Sequence, residues 1–294
     1  MIVTDCYTTG TVKGDFNVGG LVGLNNSSII KTCYSEAIVE GLDAVGSLIG
    51  GNDCGTISSC YAIGAVNGEE YVGGLVGYNG SGSVTTCYAT GTVNGSTYET
   101  GGLVGYNSGT ISSCYATGEV RGNSIVGGLV GINKRGKVIR CYSTGKPTGG
   151  SLVGGLCGGK VTDVTYEDTG NFWDSQTSET TTSEMGTGLT TAEMKELSTF
   201  KNAGWDFAGE TANGTDDIWR MCADGVNYPK LNLEYVMDGD FSCPDGIGFD
   251  DLLKFSNNWL STYSTPLYGA DADGDKYVNF ADFAIMAGHW LENN

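Results

Sequence analysis

Residues 57–79 read ISSCYAIGAVNGEEYVGGLVGYN, and the pattern inside this stretch recurs along the first half of the chain. Cys60-Tyr61 reappears as Cys6-Tyr7, Cys33-Tyr34, Cys87-Tyr88, Cys114-Tyr115 and Cys141-Tyr142, always 27 residues apart. Val3, Ile30, Ile57, Val84, Ile111 and Val138 stand three residues before the Cys, and Val12, Val39, Val66, Val93 and Val120 six after it. The glycine-rich segment from Gly73 to Asn79 is echoed from Gly19, Gly46, Gly101 and Gly127. A fixed period of this size means a solenoid in which each repeat stacks on the next. Glycines cut each unit into three short apolar runs rich in Val, Ile, Thr and Tyr, too short for helices and typical of strands. The expected fold is mainly β, a three-sided parallel β-solenoid of 27-residue coils. Leucine-rich repeats share this period range, but no helix-period pattern fills the remainder of the unit.

Stacked coils place equivalent residues one strand spacing apart, about 4.8 Å. Asn25, Asn52, Asn79, Asn107 and Asn133 then form an amide ladder along the axis, at corners where Asn also tolerates a left-handed backbone. The spacing slips to 28 before Asn107 and back to 26 before Asn133, which predicts an insertion near 97–100 and a loss before Ile111. Cys and Tyr are strand neighbours and face opposite sides. Asp5 and Arg140, just before the Cys, share the face of the Tyr, so the Tyr column is expected outside and the Cys column inside. Ile three residues before the Cys then needs a bend to point inward. The Cys column reads as a stack of small buried residues, although the coil spacing also falls within the Cα range of disulfides. An outward Tyr column makes Tyr34, Tyr61, Tyr88 and Tyr115 a candidate ribbon for sugar rings or a partner protein, against the simpler reading of rings stacked only on each other.

The net charge of −19 is unevenly spread. Residues 1–159 hold 8 Lys/Arg and 10 Asp/Glu, a net of −2, and residues 160–294 hold 7 and 24, a net of −17. Nucleic acid and anionic membrane surfaces are therefore unfavourable partners. Lys134, Arg135, Lys137 and Arg140 form the one basic cluster, read as a solvated face. No run of 18 apolar residues predicts membrane insertion, and no signal peptide is visible. The chain opens mid-coil, which leads us to expect an upstream part carrying an export signal.

Three segments are expected: the solenoid over 1–160, a cap over 161–236 and a calcium module over 237–294. The cap carries Phe172, Trp173, Phe200, Trp205, Phe207 and Trp219, a capping box at Thr190–Glu193 opening a short helix to about Phe200, and a closing hairpin over 218–233. Cys222 and Cys243 are a plausible disulfide pair, which suits an exported protein.

From Asp238 a duplication appears at a 31-residue offset, matching Phe249, Asp251, Leu252 and Trp259 to Phe280, Asp282, Phe283 and Trp290. Asp271, Asp273, Asp275, Asn279 and Asp282 fall at positions 1, 3, 5, 9 and 12 of a loop, with the Tyr277 carbonyl at 7. That is the EF-hand donor pattern for calcium, a hard cation taking six to eight oxygens. Lys276 departs from the usual Gly, and Asp282 from the usual Glu. The following helix is expected to bury Phe283, Met286, Ala287 and Trp290. The first copy is weaker: Asp240 and Asp251 match the outer ligands, and Asp238 and Asp245 could substitute in a distorted loop.

On these motifs the repeats resemble the GLUG-motif family of bacterial surface and secreted proteins, and the tail resembles type I dockerins. The second resemblance implies calcium as cofactor and a cohesin-like or other surface protein as partner. At the pair that in dockerins contacts cohesin, this chain has Phe280-Ala281 and Phe249-Asp250. The function expected is non-enzymatic: a secreted or cell-surface stalk or adhesion protein with a docking module and polysaccharide as a candidate ligand. The alternative is the non-catalytic part of a dockerin-bearing polysaccharide-degrading enzyme, a β-helix lyase or hydrolase or one whose catalytic domain lies upstream. The repeats contain no His and no off-pattern carboxylate cluster beyond Glu69-Glu70, and His289 reads as a packing residue.

Overall fold

The computed structural model describes residues 1–161, 167–234, 249–262, 270–273 and 275–289. By internal contacts the chain divides into two compact units, Met1–Met194 and Lys195–Asn294. Among the described residues no helix is long and apolar enough to cross a membrane.

The first unit is a parallel β-solenoid of about six coils. Its pairing follows the 27-residue period, Ile30 pairing with Val3 and Ile57, Tyr61 with Tyr34 and Tyr88, and Asn52 with Asn25 and Asn79. The insertion lies where expected: Gly68 pairs with Gly95, but Val72 pairs with Thr100, and the register returns by Ser83 with Thr110.

Each coil carries five short strands rather than three. In the second coil these are Ile29–Lys31, Tyr34–Ser35, Ile38–Glu40, Asp43–Gly46 and Ile49–Asn52, each belonging to a different parallel sheet, here numbered one to five. Two of the three apolar runs are broken by bends. The first bend falls just before the Cys, where Asp5, Thr32, Ser59, Thr86, Ser113 and Arg140 all have φ between 51° and 54°. A left-handed residue there turns Ile30 and Cys33 both inward, at 1% and 0% exposure. The Asn column does not use left-handed backbone, so its place in the coil rests on hydrogen bonding.

The interior holds two cores. Sheets one, two and five enclose Ile30, Cys33, Leu48, Ile49 and their copies. Sheets three and four enclose Val39, Val45, Val66, Val72 and theirs. Between the cores, sheets four and five lie back to back through glycine. A Cβ on Gly77 would strike the Val45 nitrogen and lie 2.7 Å from the Tyr71 carbonyl oxygen, and one on Gly105 would lie 2.5 Å from the Tyr71 carbonyl carbon. The Gly-Gly-Leu-Val-Gly signature is thus the imprint of two backbones in contact, with Leu and Val alone sent into the larger core.

The parallel ladders run beyond residue 160. Asp168–Thr169 extends sheet one, and Phe172–Asp174 then Thr187–Leu189 extend sheet two. Gly170, at φ 65°, repeats the left-handed bend, with Asn171 and Phe172 in place of Cys-Tyr. Trp173 and Met185 close the larger core. The capping box forms: the Thr190 amide donates to Glu193 Oε2 at 2.8 Å and the Glu193 amide to Thr190 Oγ1 at 3.3 Å. A 3-10 turn over Glu193–Lys195 precedes helix α1, Leu197–Asn202.

In the second unit, Phe200, Trp205, Phe207 and Trp219 pack on one another, Trp205 and Trp219 at 4.4 Å between ring centres. Of the six aromatic residues expected in one cap, two therefore end the solenoid and four build a separate core. The hairpin forms with Trp219–Arg220 antiparallel to Lys230–Leu231. Cys222 is disulfide-bonded; Cys243 lies outside the described residues. Helices α2, Phe249–Asn257, and α3, Phe280–His289, follow. Phe255, Ala270, Ala272, Val278 and Met286 form their core. Helix α3 buries Asp282 and Met286, one turn apart, while Phe283 stays 39% exposed and Ala287 exposed. The apolar face expected there is narrower than its sequence suggests; Trp290 lies outside the described residues.

Candidate functional sites

The solenoid's polar columns are largely occupied by their own copies. Asn25 donates to Asn52 at 3.0 Å, Asn52 to Asn79 at 2.9 Å, Asn79 to Asn107 at 2.8 Å and Asn107 to Asn133 at 2.9 Å. The second amide hydrogen goes to a carbonyl of the same corner, as from Asn79 to Gly82 at 3.3 Å. Asn133 ends the ladder on Met185 Sδ at 3.3 Å.

The Cys column is a relay of hydrogen bonds, a role its composition did not show. The left-handed bend leaves the Cys amide without a strand carbonyl to meet, and the sulfur of the next coil receives it. Cys6, Cys33, Cys60 and Cys87 donate in this way to Cys33, Cys60, Cys87 and Cys114 at 3.4–3.5 Å. Each of these acceptor thiols donates in turn to the carbonyl two residues back, as from Cys60 to Ser58 at 3.2 Å. Where the column ends, Asn171 Oδ1 takes the Cys141 amide at 2.8 Å. The column cysteines are free of disulfides. Hydrogen bonding with Cys60 and burial push the Cys33 thiol up, burial raises Cys60 and Cys114, and it pushes Cys157 up to about 12. Such thiols stay protonated and are poor nucleophiles.

Tyr7, Tyr34, Tyr61, Tyr88, Tyr115 and Tyr142 stack face to face at 4.8–5.1 Å between centres. Tyr7 is 62% exposed and Tyr34, Tyr61 and Tyr88 are half-buried, so the outward assignment holds there. Tyr115 and Tyr142 are as buried as their cysteines, at 3% and 1%. Between successive rings no face is left for a sugar; the ribbon offers edges and hydroxyls.

An open groove of about 600 Å³ runs along the first three coils between sheets three and four. Asp15, Glu40, Glu69 and Leu42 line it, with Lys13 bridging to Glu40 at 2.7 Å.

In the second unit, carboxylate oxygens of Asp271, Asp273 and Asp275 lie within 4.8 Å of one another. Calcium–oxygen distances of about 2.3–2.6 Å put two donors on one ion no more than about 5 Å apart, so these three fit a hard cation. Lys276 adopts the left-handed turn, at φ 75°, that this loop position requires, and its amide donates to Asp271 Oδ2 at 3.1 Å. The Tyr277 amide donates to Asp275 Oδ1 at 2.7 Å, and the Tyr277 carbonyl and Asp275 Oδ2 both receive the Asn279 amide group. Asp282 stands apart from the three. Buried, it closes the loop by accepting the amides of Ala272 at 2.6 Å, Asp273 at 3.1 Å and Asn279 at 2.7 Å. Desolvation, Asp282 and Asp275 raise the Asp273 carboxyl. In the first copy, Asp251 is the third residue of α2, as Asp282 is of α3; Asp238, Asp240 and Asp245 lie outside the described residues.

Residues 68–94 and 96–121 match the family model of the GLUG motif. The chain carries GLUG repeats. These stretches span the third to fifth coils, so the motif corresponds to a coil of the solenoid. No curated protein and no solved structure matches the chain.

Proposed function

We propose that the protein is a non-catalytic, secreted or cell-surface scaffold whose solenoid presents a rigid binding surface and whose C-terminal module binds calcium and docks to a partner protein. One observation carries the first half. The Asn, Cys and Tyr columns are consumed by their own copies, so what the GLUG repeats offer is a stiff outer surface. The calcium reading rests on the converging carboxylates of Asp271, Asp273 and Asp275 with the left-handed Lys276 turn. In it, Asp271, Asp273 and Asp275 hold the ion, the Tyr277 carbonyl and Asn279 add to the oxygen set, and Asp282 holds the loop closed through its amides. The ion supplies no chemistry beyond fixing the loop against its own charge. Phe280, 76% exposed beside that loop, gives a cohesin-like partner an apolar contact. The disulfide at Cys222 favours an oxidising compartment.

Calorimetry of the full chain with calcium is the test. Saturable binding that Asp271→Ala with Asp275→Ala abolishes supports the module, and no heat of binding removes it. The enzymatic alternative has its own readout. Reducing ends released from a polysaccharide, and lost in Glu69→Gln, would place catalysis in the carboxylate-lined groove, since glycoside hydrolysis needs paired carboxyl groups.

A further inference from the structure

Sheet four carries a row of like charges that the fold does not neutralise. Asp43 pairs in register with Phe16 on one side and Glu70 on the other, and Glu99 opens the strand of the next coil. Like charges opposite one another across neighbouring strands repel. Elsewhere the solenoid pairs its charges: Arg121 bridges to Glu119 at 2.7 Å, Lys137 to Glu167 at 2.8 Å and Lys146 to Glu179 at 2.6 Å. With the groove residues Asp15, Glu40 and Glu69, this side gathers six of the ten acidic residues of 1–159. Among the described residues only Glu40 of the six has a basic partner within ion-pair distance, Lys13.

Tyrosines stand among these carboxylates. Asn17, Ala44 and Tyr71 share the left-handed bend of sheet four, at φ 50°, 53° and 49°, so the backbone there is the ordinary turn of the repeat and only the side chain changes. The Tyr71 ring stands edge-on against Tyr106 at 5.3 Å and Tyr78 at 6.0 Å, and these two stack at 4.8 Å. Burial, then Glu99, Glu70 and Asp43, push the Tyr71 hydroxyl up, which places all three carboxylates around one ring. The insertion at 97–100 adds Tyr98, 53% exposed, beside Glu99. One ammonium reaches the cluster. Lys134 lies 5.6 Å from the Tyr106 ring centre and opposes the upward shift that burial and Glu70 give the Glu99 carboxyl. A cation held between a tyrosine ring and a carboxylate is therefore an arrangement this face already contains.

We propose that the outer face of sheet four docks an arginine-rich segment of a partner protein, its guanidinium groups on Asp43, Glu70 and Glu99 and its stems against Tyr71 and Tyr98. The three carboxylates follow one another at the coil spacing, about 4.8 Å, and do not converge on a point. Among the described residues the converging group is Asp271, Asp273 and Asp275. A row of this kind suits several separate cations rather than a single metal ion. Guanidinium meets a carboxylate with its edge and an aromatic ring with its face, whereas an ammonium offers a point charge. Complementary charge across such a surface sets partner choice and association rate. The assignment deepens the reading of the solenoid as a binding surface and rests on it.

Fluorescence anisotropy of a labelled octa-arginine peptide, titrated with the full chain at about 0.15 M salt, tests it. Saturable binding is expected, tighter than that of octa-lysine. Glu70→Gln with Glu99→Gln weakens it at least tenfold. Tyr71→Ala, which installs the residue the same bend already holds at Ala44, weakens it about two- to fivefold. Asp216→Asn with Asp217→Asn, an equal loss of charge in the second unit, changes it less than twofold. Circular dichroism checks that each variant folds. Carbodiimide labelling of carboxylates locates the contact: the peptide protects Asp43, Glu70 and Glu99 and leaves Glu36 as reactive as before. No saturable binding, equal losses in the two charge-matched pairs, or protection that misses Glu70 and Glu99 overturns the site. None of these outcomes touches the scaffold reading, which falls instead if the protein releases reducing ends from a polysaccharide.

Discussion

The solenoid and the acidic loop of the second unit handle polar side chains in opposite ways. In the solenoid, Asn25, Asn52, Asn79 and Asn107 each donate to the Asn one coil on, so repetition satisfies what burial would otherwise penalise. In the loop over 271–282, like carboxylates converge, and proximity adds repulsion in place of a bond. The first arrangement is satisfied from within; in the second the proposed function puts an ion among the like charges.

The most damaging way to break the first arrangement is in the middle of the ladder. Asn79→Ala leaves the Asn52 amide and the Asn107 oxygen without their partner and frees the Gly82 carbonyl. It is expected to cost about 3–5 kcal/mol, since each buried orphan group costs about 1–3. Denaturant unfolding followed by circular dichroism reads it. Asn94→Ala, which removes an exposed Asn67–Asn94 bond, should change stability by about 0.5 kcal/mol or less. Equal effects at the two sites would mean that burial does not set the value of the ladder.

Calcium is expected to stabilise the second unit by about 3 kcal/mol at a hundredfold excess over its dissociation constant, leaving the solenoid transition in place. Asp271→Ala with Asp275→Ala removes the calcium response. A chelator that leaves Trp259 fluorescence unchanged would contradict the module.

Thr100 sharpens the comparison from inside the solenoid. It takes the place of Val45, Val72 and Val126, and its hydroxyl is buried without a hydrogen-bond partner. Thr100→Val is nearly isosteric and is expected to gain about 1 kcal/mol, measured as a shift in the denaturation midpoint.

The smallest effect expected is one of pH in the second unit. Burial, then Asp217, Asp216 and Glu210, raise the Asp206 carboxyl above the ordinary carboxylate range. The folded state therefore binds this proton more tightly than the unfolded state. Its contribution to stability is present below the unfolded value, about 4, and is lost as pH rises through the raised folded value. Asp206→Asn should flatten that part of the stability profile; an identical slope in the variant would show that Asp206 does not set it.

Much of the solenoid was legible because the period identifies equivalent residues without any knowledge of the path between them. Six Cys-Tyr pairs at one spacing give the parallel stack, the column of amides and even the register slip around 97–100. The EF-hand spacing similarly brings Asp271, Asp273 and Asp275 together, and the structure places them so. The division into five strands was hidden, because the left-handed bend before each Cys falls on Asp, Thr, Ser and Arg rather than on glycine and leaves no mark in the composition. The inward Cys could be inferred from charge at Asp5 and Arg140, but its role as an amide acceptor follows only from that bend. The glycine contact of sheets four and five was likewise invisible, since a Gly-rich run looks the same whether it turns a corner or lets two backbones touch.

Periodicity by itself thus determined which residues of this protein are neighbours along the axis, because stacking repeats the same contact at every coil. Only the tertiary structure decided which residues meet across a coil, because that depends on the turns within it. It put Tyr71 beside Tyr78 and Tyr106, ended the Cys and Asn columns on Asn171 and Met185, and spent the faces of the six stacked tyrosines on each other.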